Sequence, residues 1–254
     1  PLARSIAEQG LLREPNGFGY IHLAGEVERP HPLKRNSAAK ARLLADLKAA
    51  AKTLNEQASD RIRRIDVFDA FFLPPGTKEG REVIERSGYD VHLAEFDVVV
   101  LVECADVDAA LAVREMSGFR ALEDRLTQDA HFVHCIAARN TRRIAEVDHD
   151  RQGVFLFNYF FAAPREVGDP LEILAGVWEY TAGWWTAKAN LTNSTPIQPV
   201  EGETSVYTLI NHCRWDRLID VLPHLVLRPS LRKFVLANFT ANDVVAMPIL
   251  YRLA

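Results

Sequence analysis

Apolar and polar positions alternate over residues 18–27, FGYIHLAGEV, and the period of two predicts a β-strand. From Ser37 the spacing changes. Leu43, Leu44, Leu47, Ala50, Ala51 and Leu54 recur at helical intervals and predict an amphipathic helix of about five turns, with Asn36 or Ser37 as its N-cap. RIDVFDAFFLPPG, 64–76, is a β-rich run stopped by Pro74-Pro75-Gly76. EFDVVVLVECA, 95–105, is the strongest strand signal in the chain. DVDAALAVREMSGFRALEDRL, 106–126, reads as one helix capped by Asp106 or Asp108, and AHFVHCIAAR, 130–139, as a fourth strand. Residues 18–139 thus have the order β-α-β-β-α-β, that of a ferredoxin-like, split βαβ unit.

The second half repeats the order. GVFLFNYFFA, 153–162, is a strand. The helix at 169–191 has Asp169 as cap, Pro170 at its first position and Glu172 completing a capping box. STPIQPVEGE holds a short strand weakened by Pro196 and Pro199. SVYTLINHCRW, 205–215, is a strand, 216–238 a helix interrupted near Pro223 and Pro229, and DVVAMPILYRLA, 243–254, the closing strand. A local echo supports a repeat. With LVECADVDAALA set on LINHCRWDRLID, Leu101 meets Leu209, Asp108 meets Asp216 and, further on, Val113 meets Val221 and Arg120 meets Arg228. The expectation is a tandem duplication: a first ferredoxin-like unit at 18–139, a polar, charged linker at 140–152, and a second unit at 153–254.

A single unit of this kind covers one sheet face with helices and leaves the other bare. Here both faces look apolar: Val98, Val100 and Val102 alternate with Val99 and Leu101, and Phe155 and Phe157 alternate with Leu156 until Asn158 interrupts. The two antiparallel sheets are therefore expected to pack together as an internal pseudo-dimer, an α+β barrel. This layout resembles the dimeric α+β-barrel superfamily, which includes antibiotic-biosynthesis monooxygenases, muconolactone isomerase, polyketide cyclases of the same fold and the haem-binding chlorite dismutases. The resemblance spans most of 18–254 and rests on element order and the two-copy layout, with no catalytic motif. It implies a barrel between the sheets with a pocket for a small hydrophobic ligand. One fold hosts many chemistries, so it names no reaction.

Composition narrows this further. The 254 residues are 48% hydrophobic and 25% charged with a formal net charge of -4, an ordinary globular balance that offers no basic field for nucleic acid. No apolar run approaches the ~18 residues of a membrane span. The first residues lack the apolar core of a signal peptide and do not begin with Met, so the true start is expected to be missing or processed. Cys104, Cys135 and Cys213 form no CxxC pair and read as reduced core thiols of a cytoplasmic protein.

Candidate chemistry lies where polar residues interrupt apolar strands. Asn158 is one such position. At 205–215, Asn211 and His212 compete, because neighbours on a strand point to opposite faces and only one can see a pocket. By the same alternation Tyr207 shares a face with Asn211, and Thr208 with His212. In the echo these two positions face Glu103 and Cys104, so either one half has specialised or the strand end has drifted. Tyr20 and His22 share a face, and His22 is a candidate general base or pocket donor, or else a hydrogen-bonded core histidine. On the 169–191 helix Leu174, Val177, Trp178, Thr181 and Trp185 form a core stripe. Tyr180 and Trp184 flank it as candidate ligand walls. His22, His212 and Asn211 are thus the catalytic candidates, and Tyr20, Asn158, Tyr180, Trp184 and Tyr207 the ligand-binding ones.

No metal site is expected: His131 and His134 fall on opposite strand faces, and Asp148-His149-Asp150 reads as solvated linker. Nucleotide and triad motifs are missing from the sequence, so no cofactor is assigned. Three readings stay open. One is an enzyme that oxygenates, cyclises or isomerises a small hydrophobic molecule without a cofactor. Another is a non-catalytic ligand-binding or assembly protein with a packed barrel. The third is a haem-dependent relative with His212 or His224 as axial ligand. The partners expected are a small hydrophobic molecule and a second copy in a homodimer, with neither nucleic acid nor membrane.

Overall fold

A computed structural model describes residues 4–31, 35–74, 77–164, 168–226 and 232–254. Eight strands are seen among them: β1 (Gly19–Glu26), β2 (Ile62–Phe72), β3 (Val98–Cys104), β4 (Phe132–Asn140), β5 (Val154–Ala162), β6 (Thr195–Pro199), β7 (Leu209–Trp215) and β8 (Val244–Leu253). All pairings are antiparallel, and they close into one barrel in the order β1-β3-β2-β8-β5-β7-β6-β4. Within each half the spatial order is the same: β4-β1-β3-β2 in the first, β8-β5-β7-β6 in the second. The halves join edge to edge, β2 on β8 and β4 on β6, so neither keeps a free edge.

The outer layer is helical. In the first half, α1 (Ala38–Gln57) begins at Ser37, whose hydroxyl accepts from the Lys40 amide. It packs with α3 (Val107–Arg114) and α4 (Ser117–Asp129) over the outward residues Ile21, Leu23, Val98, Val100 and Val102. The expected single helix at 106–126 is two helices, broken at Glu115–Met116. Its cap is as read, with Asp106 accepting from the Ala109 amide. The stretch after Pro74-Pro75-Gly76, unassigned from sequence, holds a further helix, α2 (Thr77–Ser87). In the second half, α5 (Pro170–Ala189) starts at Asp169, which accepts from the Leu171 amide, and lies over Leu156, Phe160, Leu209 and Cys213. The expected 216–238 helix is fragmented: a 3-10 turn at Leu218–Asp220, α6 (Leu222–Val226), a π-helical turn at Arg232–Leu236 and α7 (Ala237–Ala241), with 227–231 outside the described residues.

The inward residues fill the barrel. Phe68, Phe155, Phe157, Tyr159, Tyr207 and Tyr251 are buried there in a mesh of edge-to-face and tilted rings. Eight strands enclose a space that side chains can just fill, and here aromatic rings fill it. Leu101 belongs to this interior set, whereas Leu209 lies in the layer under α5. The echo that pairs them is thus out of phase by one residue, since a slip of one reverses every strand side chain.

An N-terminal strap crosses α5. Ile6 is buried, its amide bonds the Glu179 carbonyl, and Gln9 bonds the carbonyls of Arg4 and Gly183. A Cβ at Gly183 would lie 2.1 Å from the Arg4 carbonyl oxygen, so only glycine permits the crossing. In the first half Lys40 is fully buried, with its ammonium 2.8 Å from both Asp69 and Asp97. Burial alone would lower the lysine pKa, but Asp97 and then Asp69 outweigh it and the net shift is upward.

Two expectations follow. Lys40→Met strands two carboxylates in a buried site, so urea unfolding is expected to show a loss of about 3–5 kcal/mol, against a negligible change for the exposed Lys52→Met. Separately, each half alone would expose its inward face and two edges. At about 25 cal/mol per Å², a contact of several hundred Å² per side is worth on the order of 10 kcal/mol as an upper estimate. Fragments ending near Asp150 or starting near Gly153 are expected to aggregate or self-pair in size-exclusion with light scattering, and to be rescued by co-expression. A monodisperse monomer with a cooperative melt would show that a half stands alone.

Candidate functional site: an aromatic cavity beneath α5

The alternation of β5 and β7 decides what faces where. On β5, Phe155, Phe157 and Tyr159 point inward, so Asn158 points outward beneath α5. On β7, Ile210 and His212 point inward, so Asn211 points outward. Asn158 and Asn211 are direct cross-strand partners, and their carboxamides meet on the same outer face.

Above them is a cavity. Its walls are aromatic and aliphatic: Trp178 and Trp185 from α5, Trp215 and Phe160 from the sheet, Phe239 from α7. The space open to the centres of water-sized molecules is about 80 Å³, several times the ~10–15 Å³ that one water takes by that measure. The polar groups are few. The Ser194 hydroxyl donates to Asn211 Oδ1 at 2.7 Å, Asn211 Nδ2 has only the Cys213 sulfur at 4.0 Å, and Thr181 is spent on the Val177 carbonyl. Asn158 Oδ1 is buried and has no hydrogen-bond partner among the described residues. The charged side chains of the described residues stay out of the wall. Among the described residues its one titratable group is the Cys213 thiol, which burial pushes well above its ordinary value.

The other candidates are elsewhere. His22 is buried in the barrel with Nε2 3.2 Å from the Tyr159 hydroxyl, and burial, then His134, lowers its pKa well below the usual imidazole range. His212 is stacked on Phe157 at 4.2 Å. Tyr20 is an interior residue whose hydroxyl accepts from Asn16 at 2.6 Å. Tyr207 is also interior and donates to the His92 carbonyl, so it does not share Asn211's face. The reason is local: Ser205 Oγ accepts from the Tyr207 amide in a turn, and the regular strand begins only at Leu209. Tyr180 is 47% exposed and outside the cavity. Trp184 is buried against His224, and its neighbour Trp185 forms the wall instead. The cavity thus lies outside the barrel rather than between the sheets, and of the eight predicted residues it gathers Asn158 and Asn211.

His149 was missed by sequence reasoning. Read as solvated linker, it is buried, with Nδ1 2.6 Å from Asp66 and Nε2 2.7 Å from His212 Nε2. Its flanking aspartates carried the opposite signal.

No protein-family model and no curated protein sequence matches the chain. Solved structures do. An anthrone oxidase-like protein superposes with a TM-score of 0.60 at 10% identity, over 96% of this chain and 94% of that one. Chlorite dismutase from Candidatus Nitrospira defluvii, in complex with cyanide, gives 0.51 at 10% over 95% and 92%. Another variant of that enzyme gives 0.51 at 13% over 95% and 93%. The chain has the dimeric α+β-barrel fold. At such identities the likeness concerns the fold alone. For this α+β barrel the haem alternative can be tested on its own donors. His212 points into the barrel on the far side of β7, and His224 contacts Trp184 and Trp185 without entering the cavity wall. Among the described residues the wall offers no cation for a propionate. The described residues do not fit a haem in this cavity. No helix among them is long and apolar enough to cross a membrane.

The unpartnered Asn158 carboxamide costs stability. Asn158→Leu keeps the volume, removes the orphaned oxygen and adds apolar contact, so it is expected to stabilise the chain by about 1–2 kcal/mol. A higher midpoint in urea unfolding checks this; a lower one would mean the amide is satisfied within the fold.

Proposed function

We propose that the chain binds a small, neutral, largely aromatic molecule in the cavity beneath α5, and that Asn158 and Asn211 grip one polar edge of it. The observation that carries the reading is the buried, unpartnered Asn158 Oδ1 within aromatic walls. A buried acceptor without a donor is costly, and a ligand hydroxyl or N–H would repay that cost. The loosely held Asn211 Nδ2 beside it would serve a ligand carbonyl. The absence of a cation from the described wall disfavours carboxylates and phosphates.

Binding is better supported than proton-transfer chemistry. Asparagine, serine and threonine can orient a carbonyl or phenol but cannot accept its proton at neutral pH. Among the described residues, His22 and His212 point into the barrel, and His224 packs on Trp184 and Trp185 without entering the wall. Oxygenation, cyclisation or isomerisation thus remains the enzymatic form of the proposal, with the cavity as its binding step. The division into units 18–139 and 153–254, joined by 140–152 and descended from a duplicated unit, belongs to the same proposal and is supported by the shared strand order.

Three tryptophans in the wall give a direct readout. Titration with 2-naphthol is expected to quench tryptophan emission saturably, and 2-naphthoate, charged at the same ring size, to bind at least about tenfold more weakly. Asn158→Leu is expected to lower naphthol affinity by about tenfold. Quenching that never saturates, or equal affinity for the two probes, would remove the proposal.

A further inference from the structure

At the end of the barrel where β5 begins, two buried imidazoles meet. We propose that His149 and His212 share one excess proton, and that this imidazolium pair is a latch fixing the 141–153 connection against the barrel. The argument is a count of protons. His149 Nδ1 faces Asp66 Oδ2 at 2.6 Å, and His212 Nδ1 faces the Leu156 carbonyl at 3.3 Å. Both partners only accept, so both Nδ1 atoms must carry hydrogen. Each neutral ring would then present a bare Nε2, yet the two Nε2 atoms lie 2.7 Å apart. Two lone pairs at that distance repel, whereas a proton between them makes a good hydrogen bond. Three protons on two imidazoles give one positive charge.

The carboxylate in contact with His149 favours it. Asp66 and Asp150 share a single guanidinium, that of Arg64. Asp148 is paired with Arg151, and Asp216 with Arg214, while Lys48 and the Glu103-bound Arg63 line the groove beside Asp66. From β1, His22 is neutral and adds no charge. Phe68, Phe155 and Phe157 supply the remaining walls. The carboxylate lies on the His149 side of the pair, 2.6 Å from its Nδ1, and so draws the excess proton to that ring.

The proton also does mechanical work. His149 packs on Phe68 and Phe155 of the barrel beside Val147, while Ile144 and Ala145 hold the connection to Ser194 near the cavity. Loss of the proton turns the Nε2 contact repulsive and releases the connection at that end. The sign is fixed by linkage. A histidine held protonated by folding contributes stability that is fully present below its unfolded pKa of about 6.5 and is lost as pH rises through its folded value.

The test is two-bond ¹H–¹⁵N spectroscopy of the full chain with labelled histidine, from pH 5 to 9, assigned with His149→Leu and His212→Leu. At pH 7 His149 is expected with both nitrogens protonated and His212 as the neutral Nδ1–H form. Asp66→Asn is expected to lower the midpoint of the pair by about one unit or more. Amide exchange of 144–150, corrected for intrinsic rates, is expected to lose protection by about tenfold above the midpoint, and His149→Leu or His149→Gln to abolish that step. Two neutral rings at pH 7, with His212 as the Nε2–H form, would overturn the shared proton. A midpoint unmoved in Asp66→Asn would overturn the part given to Asp66, and an exchange step that survives both His149 variants would overturn the latch.

Discussion

Closure of the sheet is the constraint on which the rest of the structure depends. Once eight strands form a ring, every strand residue is assigned to the interior or to the helical layer, and no edge is left to relieve a misfit. On β5 and β7 both destinations are dry, so most positions there are apolar and each polar one is conspicuous. The interior is the stiffer compartment, since its rings contact rings from opposite sides of the barrel, as Phe96 does with Tyr159 and Tyr207. Slack can persist only in the outer layer, where a helix bridges the sheet without interlocking with it. That is where the cavity lies, and closure therefore determines its position.

The same constraint separates what the sequence made legible from what it did not. Strands and caps were readable because their signals are local: Asp169-Pro170, Asp106 and Ser37 each start the helix they announce. The strand order shared by the two halves was readable in element order, but the echo does not follow the alternation, since Leu101 faces inward and Leu209 outward. An odd offset, which would set Cys104 against Cys213 on the outer faces, keeps the alternation where an even one reverses it. Tyr207 misled for a related reason, because a turn at Ser205 resets the alternation just before the strand.

His149 is the more instructive miss. Between two aspartates in a polar stretch it has the local pattern of solvated chain, yet its partners are Asp66, 83 positions away, and His212, 63 positions away. Nothing within a short window encodes such contacts; they exist only once β2 and β7 lie in the same barrel. The Asn158–Asn211 pair lies between these extremes. Each residue was legible as an interruption of an apolar strand, but that they face each other required the β5–β7 register.

Covalent linkage of the two halves permits an asymmetry that a barrel of two identical chains could not have. In a symmetric dimer both outer layers would be the same, and a cavity in one would be a cavity in the other. Here the first half is closed off by α1, α3 and α4 over a dense aliphatic layer, with Lys40, Asp69 and Asp97 fixing α1 to the sheet. The second half has one long helix and a set of short ones, and beneath them an unpaired amide and open space. Buried unpaired amides and voids both lower stability. A single chain can carry them in one half because the other half, and the filled interior between them, hold the barrel closed.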